Sequence, residues 1–246
     1  LQENAESLVL SGLDELNISL DGPAGLHDKI RGQEGLFNKI VSGIERINYF
    51  KLRHRRKSPL IGLQCTLSSD NYRYLDKLLP VAKKLKVDSL TFHNLIFINE
   101  KMLKEQKEKD LLLESDSKGW EGFLFDPGID AHMLQEELKV IFTSAKGINI
   151  DLYPNFSPAA LKEYYDNPQG VPAGFSPRCL SPWIDAYISY DGSVKPCLNL
   201  SYSFGNIKDA PFLNIWNSDA AVNFRRQLKK NKIFPACPKC TELYRY

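Results

Sequence analysis

The sequence predicts an α/β protein in which a parallel sheet is followed by a small, differently built segment that holds a metal site. Three observations support this prediction. Strand and helix patterns alternate up to residue 152, the composition changes between residues 154 and 177, and four of the five cysteines lie near the C-terminus. Alternation of this kind is typical of parallel sheets, whose functional groups collect at the carboxyl ends of the strands.

Composition bounds the class of protein. The chain has 246 residues, of which 43% are hydrophobic, and this is enough for one large core or two modest ones. A net charge of +2 gives no field that would favour nucleic acid or an anionic membrane as a partner. No apolar run approaches the roughly 20 residues that span a bilayer. We therefore expect a cytoplasmic protein with no nucleic-acid or membrane partner.

The first part of the chain alternates strand and helix signals. The opening strand shows the period of two and stops at the turn signal Asp21-Gly22-Pro23. The helices that follow show apolar residues at spacings of three and four, which is typical of amphipathic helices. The predicted strands are residues 16–20, 59–67, from 89 towards 98, and 148–152, and the predicted helices are 36–50, 74–85 and 132–145.

Two stretches carry no predicted chemistry. Residues 100–114 are dense in Lys and Glu, which indicates a solvated helix or insertion whose opposite charges pair along its surface. Residues 154–177 are rich in Pro, Asn, Gly and Ser, which is typical of a linker.

A hairpin follows, because residues 183–190 and 194–198 flank the turn pair Asp191-Gly192. The last predicted helix is 212–230.

Four cysteines around this hairpin have the spacing of a metal site. Cys179 and Cys197 frame it as C-x12-G-x4-C, and Cys237 and Cys240 form a C-x2-C pair. Two thiolates three positions apart can reach one ion or one iron of a cluster. Five cysteines are also too few for a disulfide scaffold of this length. Spacing alone leaves zinc and an iron-sulfur cluster equally open.

The pattern resembles a known family. The C-terminal cysteine segment is similar to the SPASM or twitch domain of radical S-adenosylmethionine (SAM) enzymes, which holds auxiliary [4Fe-4S] clusters. Residues 13–22 and 27–32 are similar to the fourth barrel strand of that family and its continuation. The stretches that resemble the family's passage between its cysteine groups are Gly205-Asn206-Ile207, Ile215-Trp216-Asn217 and Arg225-Arg226.

The resemblance implies an architecture. It is the C-terminal half of a partial parallel (β/α) barrel at residues 1–155, a linker at 156–176, and a small α+β cluster-binding domain at 177–246. The sequence lacks the C-x3-C-x2-C motif that holds the SAM-binding cluster in this family, and Leu1 falls within a predicted helix. We therefore expect a fragment and not a degenerate pseudoenzyme. Four cysteines, where a full SPASM domain has seven, limit the chain to one auxiliary cluster.

The resemblance also implies a function. The intact protein would be a radical SAM enzyme that abstracts hydrogen with a 5'-deoxyadenosyl radical and modifies a peptide, cofactor precursor or small natural product. Cys179, Cys197, Cys237 and Cys240 would hold one auxiliary [4Fe-4S] cluster for electron transfer. SAM, a second [4Fe-4S] cluster and an electron donor such as a flavodoxin or ferredoxin are expected for the intact protein. The alternative is a non-catalytic zinc-binding module for protein interaction, or a degenerate radical SAM-like protein.

Polar residues at two strand ends are the candidate SAM contacts. In the resemblance, Ser19 and Asp21 lie near the SAM ribose and methionyl groups, although Asp21 could equally cap a turn. Thr66 and Ser68 would face the same cleft, or else cap the following helix. Cys65 is expected to be a packing residue.

Three further side chains are expected to have packing roles. His93, near the end of the third strand, is expected to be a hydrogen-bonded core residue. Tyr187 and Tyr190 on the hairpin are expected to pack over the cysteine site.

Overall fold

The computed structural model describes residues 1–245, so Tyr246 of the predicted cluster domain lies outside the described residues. Single-turn 3-10 helices occur at Leu75–Lys77, Cys237–Lys239 and Thr241–Tyr244. The strands are β1 (Glu15–Ser19), β2 (Leu60–Thr66), β3 (Ser89–His93), β4 (Asn149–Tyr153), β5 (Tyr187–Ile188), β6 (Ser193–Lys195) and β7 (Gly205–Asn206). The helices are α1 (Ala5–Leu10), α2 (Ala24–Arg31), α3 (Leu36–Arg53), α4 (Leu78–Lys84), α5 (Glu100–Leu113), α6 (Lys118–Glu121), α7 (Ala131–Ser144), α8 (Pro158–Asp166), α9 (Ser181–Ile184), α10 (Phe212–Trp216) and α11 (Asp219–Asn231).

The chain forms two compact units. The first unit contains Leu1–Leu95 and Gly128–Pro158, and the second contains Ile96–Pro127 and residues 159–245. This division differs from the predicted boundaries, because residues 96–127 pack with the C-terminal part of the chain and not with the sheet that precedes them. No helix in the described part of the chain is long and apolar enough to cross a membrane.

The first unit is built on a parallel sheet of four strands in the order β1-β2-β3-β4. Helices follow the strands, so the predicted class, an α/β half-barrel followed by a small α+β domain, is confirmed. One face of the sheet is apolar, since Leu63 and Leu90 are paired neighbours and both fully buried. Ile44 and Ile47 of α3 are fully buried as well, as the spacing of three predicts.

The second unit is a small α+β assembly. Its three-stranded sheet has the order β5-β6-β7, and both pairings are antiparallel. The predicted turn at Asp191-Gly192 is present, and Gly192 has a φ of 93°, a value that glycine adopts without a steric penalty. The strands are shorter than predicted. A core of aromatic and aliphatic side chains includes Phe204, Phe224 and Phe234.

Four sequence predictions are corrected. The predicted linker contains α8, because Leu161 and Tyr164 bury one face of that segment. The third strand ends at His93 and does not run on to Ile98. The predicted helix 212–230 is two helices, since Ser218 caps the second one by accepting the Ala221 N–H.

The fourth correction concerns the charged stretch 100–114. It is helical, but it is not solvated on all sides. One face is buried, and it carries Met102, Leu103, Gln106, Asp110 and Leu113. Lys and Glu dominate the composition of the segment, so its buried face was not apparent from the sequence.

Candidate metal centre and cofactor face

Four cysteines of the second unit line one cavity. It has a volume of about 40 Å³, and its wall includes Cys179, Cys197, Cys237 and Cys240. All four are free thiols. Within residues 1–245, no three His, Cys, Asp or Glu side chains are grouped closely enough to hold a single metal ion. The four sulfurs therefore line a cavity and are not grouped around the position of a single metal ion.

Short elements bring these cysteines together. Cys179 lies just before α9, and Cys197 lies just after β6. Cys237 and Cys240 are joined by one 3-10 turn, in which the Cys240 N–H donates to the Cys237 carbonyl at 2.9 Å. Pro238 suits the start of that turn because its ring fixes φ. The C-x2-C spacing thus becomes a local pair of thiols on one side of a single turn.

Backbone N–H groups lower the pKa values of all four thiols. The Phe234 N–H donates to Cys237 Sγ at 3.4 Å. The N–H groups that lower the pKa of Cys179, Cys197 and Cys240 are, in that order, those of Ser181, of Asn199 and Leu200, and of Glu242. Backbone donors of this kind stabilise a thiolate and tune the potential of a cluster that the thiolate holds. A sequence pattern does not reveal them, because they depend on the path of the backbone.

Burial opposes ionisation of these thiols. It raises the pKa of Cys179 to about 11 and raises the pKa values of Cys197, Cys237 and Cys240 as well. The backbone donors act in the opposite direction but are the smaller effect. A bound cation would therefore have to displace the thiol protons, so metal uptake should release protons and weaken as the pH falls.

Two tyrosines and a lysine hold the turn between Cys237 and Cys240. The Tyr244 hydroxyl donates to the Pro238 carbonyl at 2.6 Å, and the Tyr164 hydroxyl donates to the Lys239 carbonyl at 3.0 Å. Lys239 is fully buried, and its ammonium donates to the Tyr164 carbonyl and lies 4.2 Å from the centre of the Tyr164 ring. Burial lowers the pKa of Lys239 to about 7. These contacts fix the carbonyls of the turn and keep its thiols directed to the cavity.

Residues 96–127 contribute to the cavity wall, a role that their sequence did not predict. Gln106 and Trp120 both line it. The Gln106 carbonyl oxygen accepts the Ala236 N–H at 3.3 Å, and its amide donates to Asp110 at 3.1 Å. Gln106 therefore links α5 to the residue before Cys237. The sequence shows only a glutamine within a charged stretch, and its burial is apparent only from the structure.

The hairpin tyrosines behave differently from one another. The Tyr187 hydroxyl donates to Glu242 at 3.1 Å and lies 3.3 Å from the Ser181 hydroxyl, and both partners line the cavity. Tyr190 is fully exposed, so the expectation that it packs over the cysteine site is wrong. Tyr190 lies next to the Asp191-Gly192 turn, beyond the end of β5.

Replacing Gly119 with Ala should destabilise the second unit. A Cβ at this position would lie 2.8 Å from the Asn199 carbonyl oxygen, a backbone atom that cannot turn away. We expect a loss of about 1–3 kcal/mol in the free energy of unfolding. All three tryptophans, Trp120, Trp183 and Trp216, lie in this unit, so urea unfolding followed by tryptophan fluorescence measures the loss. Gly122→Ala is the matched control, because nothing lies within 4 Å of its Cβ position; an equal loss in both variants would contradict the close-approach argument.

The first unit presents a polar sheet face. Strand register places Ser19, Gln64, Thr91 and Asp151 in one row across the four strands. Ser19 and Asp151 are exposed, and Gln64 and Thr91 are half-buried. Parallel sheets are usually apolar on both faces. Hydroxyl, amide and carboxylate groups in one row can instead hydrogen-bond a polar ligand.

The next row contains Thr66, His93 and Tyr153. Thr66 is exposed, and the His93 and Tyr153 rings lie 5.7 Å apart. Burial lowers the pKa of His93, and no partner of its Nε2 is found within residues 1–245. His93 is thus part of the polar face, and the expectation of a hydrogen-bonded core histidine is not met at this atom. Cys65 points the other way and is fully buried, as expected of a packing residue.

Asp21 and Ser68 lie just beyond the strand ends. Asp21 is buried, and its carboxylate accepts the Thr66 N–H at 3.2 Å and the Arg31 Nε–H at 2.5 Å. It therefore ties the end of β1 to the end of β2. The Ser68 hydroxyl is buried, and no partner for it is found in the described residues. Ser19 and Thr66 are exposed and can reach a ligand, whereas the Ser68 hydroxyl is buried and both Asp21 oxygens are already engaged.

A family model matches part of the second unit. Residues 179–241 match SPASM, which is described as an iron-sulfur cluster-binding domain. All four cavity cysteines fall within the matched residues, and the thiols with their backbone donors fit an iron-sulfur cluster.

Two relatives of known name extend over nearly the whole chain. Fe-coproporphyrin III synthase of Methanosarcina barkeri is 24% identical over 94% of this chain and 55% of its own length. AdoMet-dependent heme synthase of Nitratidesulfovibrio vulgaris is 21% identical over 97% of this chain and 60% of its own length. The chain thus spans a little over half the length of these curated relatives.

Solved structures share the fold. SuiB of Streptococcus suis, solved with the precursor peptide SuiA, has a TM-score of 0.57 and 13% identity over 98% of this chain and 51% of its own. Native anSMEcpe with bound AdoMet has a TM-score of 0.54 and 16% identity over 98% of this chain and 61% of its own. The resemblance to radical SAM proteins that bear a SPASM domain is confirmed.

Proposed function

We propose that this chain is part of a radical SAM enzyme in which Cys179, Cys197, Cys237 and Cys240 hold one auxiliary [4Fe-4S] cluster. The observation that carries the proposal is the convergence of four thiols on one cavity, within residues that match an iron-sulfur cluster-binding domain. Such a cluster supplies one-electron transfer. Four thiolates would occupy all four irons, so this site would not bind substrate through iron.

The residues around the thiols would protect that cluster. Trp120, Phe224 and Phe234 are buried and line the cavity, so they exclude water from the sulfurs. The Tyr164–Lys239 contacts and the Gln106–Ala236 hydrogen bond keep the loop of Cys237 and Cys240 in place. Such surroundings fix ligand orientation and limit solvent access.

The polar face of the first unit is the proposed SAM site. Ser19, Thr66 and Ser68 would contact the cofactor, since hydroxyls suit a ribose diol or an amino-acid group. Asp21 would have a structural role, because its carboxylate joins the strand ends that carry Ser19 and Thr66. AdoMet is bound in anSMEcpe, which shares this fold.

We infer the substrate class from the named relatives. Two relatives are named as synthases of Fe-coproporphyrin III and of heme, and SuiB binds a precursor peptide. The proposed substrate is a cofactor precursor, a peptide or a small natural product, modified by hydrogen abstraction. A reduced flavodoxin or ferredoxin would supply electrons. Five free thiols suit the cytoplasm, where thiols stay reduced.

The 246-residue chain by itself should not cleave SAM. Its five cysteines include no C-x3-C-x2-C motif, so no thiolate set is present to leave one iron open for SAM. Incubation of the chain with SAM and dithionite should yield no 5'-deoxyadenosine above a metal-free control. Chromatographic detection of 5'-deoxyadenosine above that control would contradict this assignment.

Electron paramagnetic resonance tests the redox role. After anaerobic reconstitution with iron and sulfide, dithionite should produce the signal of a reduced iron-sulfur cluster. Cys65→Ala should keep the signal, because Cys65 lies in the first unit and outside the cavity. A chain that binds zinc and gives no reducible centre would favour the protein-interaction module.

A further inference from the structure

A second, larger cavity opens beside the cysteine site. It is a surface cleft of about 640 Å³ in the second unit, and its wall includes Arg178, Cys179, Trp183, Lys229 and Lys232. Trp183 is 41% exposed, so part of its ring faces solvent. The cleft lies outside the residues that the proposed function uses, except for Cys179.

The cleft is cationic. Arg178, Lys229 and Lys232 are all exposed, and no acidic residue is part of its wall. Among residues 1–245, none of these three cations forms an ion pair with a carboxylate. A chain with a net charge of only +2 therefore concentrates unpaired positive charge at one place. Such a place attracts an acidic surface.

Lys232 reaches the cleft through unusual backbone geometry. Its φ of 66° and ψ of −61° are those of a tight γ-turn, in which the Ile233 N–H donates to the Asn231 carbonyl at 2.8 Å. A lysine in this conformation is strained, and strain of this kind tends to persist at functional sites. The turn ends α11, and Lys232 lines the cleft together with Lys229.

Cys179 and Leu228 form a common wall. Both line the cysteine cavity, and Leu228 and Cys179 also line the cleft. A molecule seated in the cleft would be separated from the proposed cluster by one ligand residue. Of the four cavity cysteines, Cys179 is the one that faces both spaces.

We propose that this cleft is the docking surface for a small acidic electron-transfer protein. The proposal rests on the proposed function, since a redox centre needs a donor that approaches one of its ligands. Electron-transfer partners form small, transient interfaces that are guided by charge. Cations without carboxylate partners line the same cleft as Cys179 and supply that guidance, and Trp183 supplies an apolar contact in its wall.

Charge reversal tests the docking surface. The probe is a purified acidic flavodoxin, and its Kd for the full 246-residue chain is measured by titration calorimetry at low salt. Lys229→Glu combined with Lys232→Glu should weaken binding by about tenfold and flatten its dependence on salt concentration. Lys84→Glu combined with Lys208→Glu makes the same change in net charge at exposed sites outside the cleft. This control should change Kd by less than about threefold.

The outcomes separate this proposal from the proposed function. Equal weakening in the two double variants would mean that net charge alone acts, and it would overturn the docking surface. Absence of measurable flavodoxin binding, or binding of an acidic peptide alone, would overturn it too. Iron and sulfide are assayed in every sample, so a chain that lacks iron refutes the cluster independently of the Kd values. Selective weakening in the cleft variant, with unchanged iron content, supports the docking surface.

Discussion

Replacing Cys240 with Ala should remove the iron-sulfur cluster from the chain. Cys240 is one of four thiols around the cavity, and a cubane cluster that loses a thiolate ligand exposes an iron to solvent. We expect iron and sulfide to fall from about four each per chain to near zero, with loss of the absorption band near roughly 400 nm. Anaerobic purification followed by iron and sulfide assays measures the change.

Cys65→Ala is the matched control for this loss. Cys65 is a free thiol like Cys240, but it is fully buried in the sheet of the first unit. The iron and sulfide content of the Cys65→Ala variant should equal that of the parent chain. If Cys240→Ala retains full iron and sulfide, or if Cys65→Ala loses them equally, the assignment of the ligands fails.

Replacing Asp21 with Ala should strongly destabilise the first unit. The change removes the acceptor of the Thr66 N–H and leaves the Arg31 guanidinium without its carboxylate. Arg31 is 39% exposed, so water compensates part of the loss. We expect a decrease of about 2–4 kcal/mol in the free energy of unfolding. Hydrogen exchange at the Thr66 amide reports the change where it occurs.

Ser19→Ala separates structure from ligand binding. Ser19 is exposed at the end of β1, so its removal should cost less than about 0.5 kcal/mol. In the intact protein the same variant should weaken SAM binding, because the proposed contact is lost.

Full protection of the Thr66 amide in Asp21→Ala would refute the strand-joining role of Asp21.

Local patterns predicted much of this molecule. The period of two in β1, the spacing of three and four in α3, and the Asp191-Gly192 turn depend on neighbouring residues, and each was found as predicted. The four cysteines were also found together, because two short-range spacings placed them beside one hairpin.

Features that depend on distant parts of the chain were not predicted. Gln106 contacts Ala236, which lies 130 residues further along the chain. The local composition of residues 96–127 therefore could not show which unit they join. The two oxygens of Asp21 are engaged by Thr66 and Arg31, and only the folded backbone shows this. The N–H donors to the sulfurs arise in the same way, from backbone direction and not from residue type.

The metal content of the anaerobically purified chain tests the central claim most directly. Iron, acid-labile sulfide and zinc are measured per chain in one preparation. The proposed site predicts about four iron and four sulfide with little zinc, since the four thiols of Cys179, Cys197, Cys237 and Cys240 surround a cavity. One tightly bound zinc per chain without sulfide would contradict the iron-sulfur assignment.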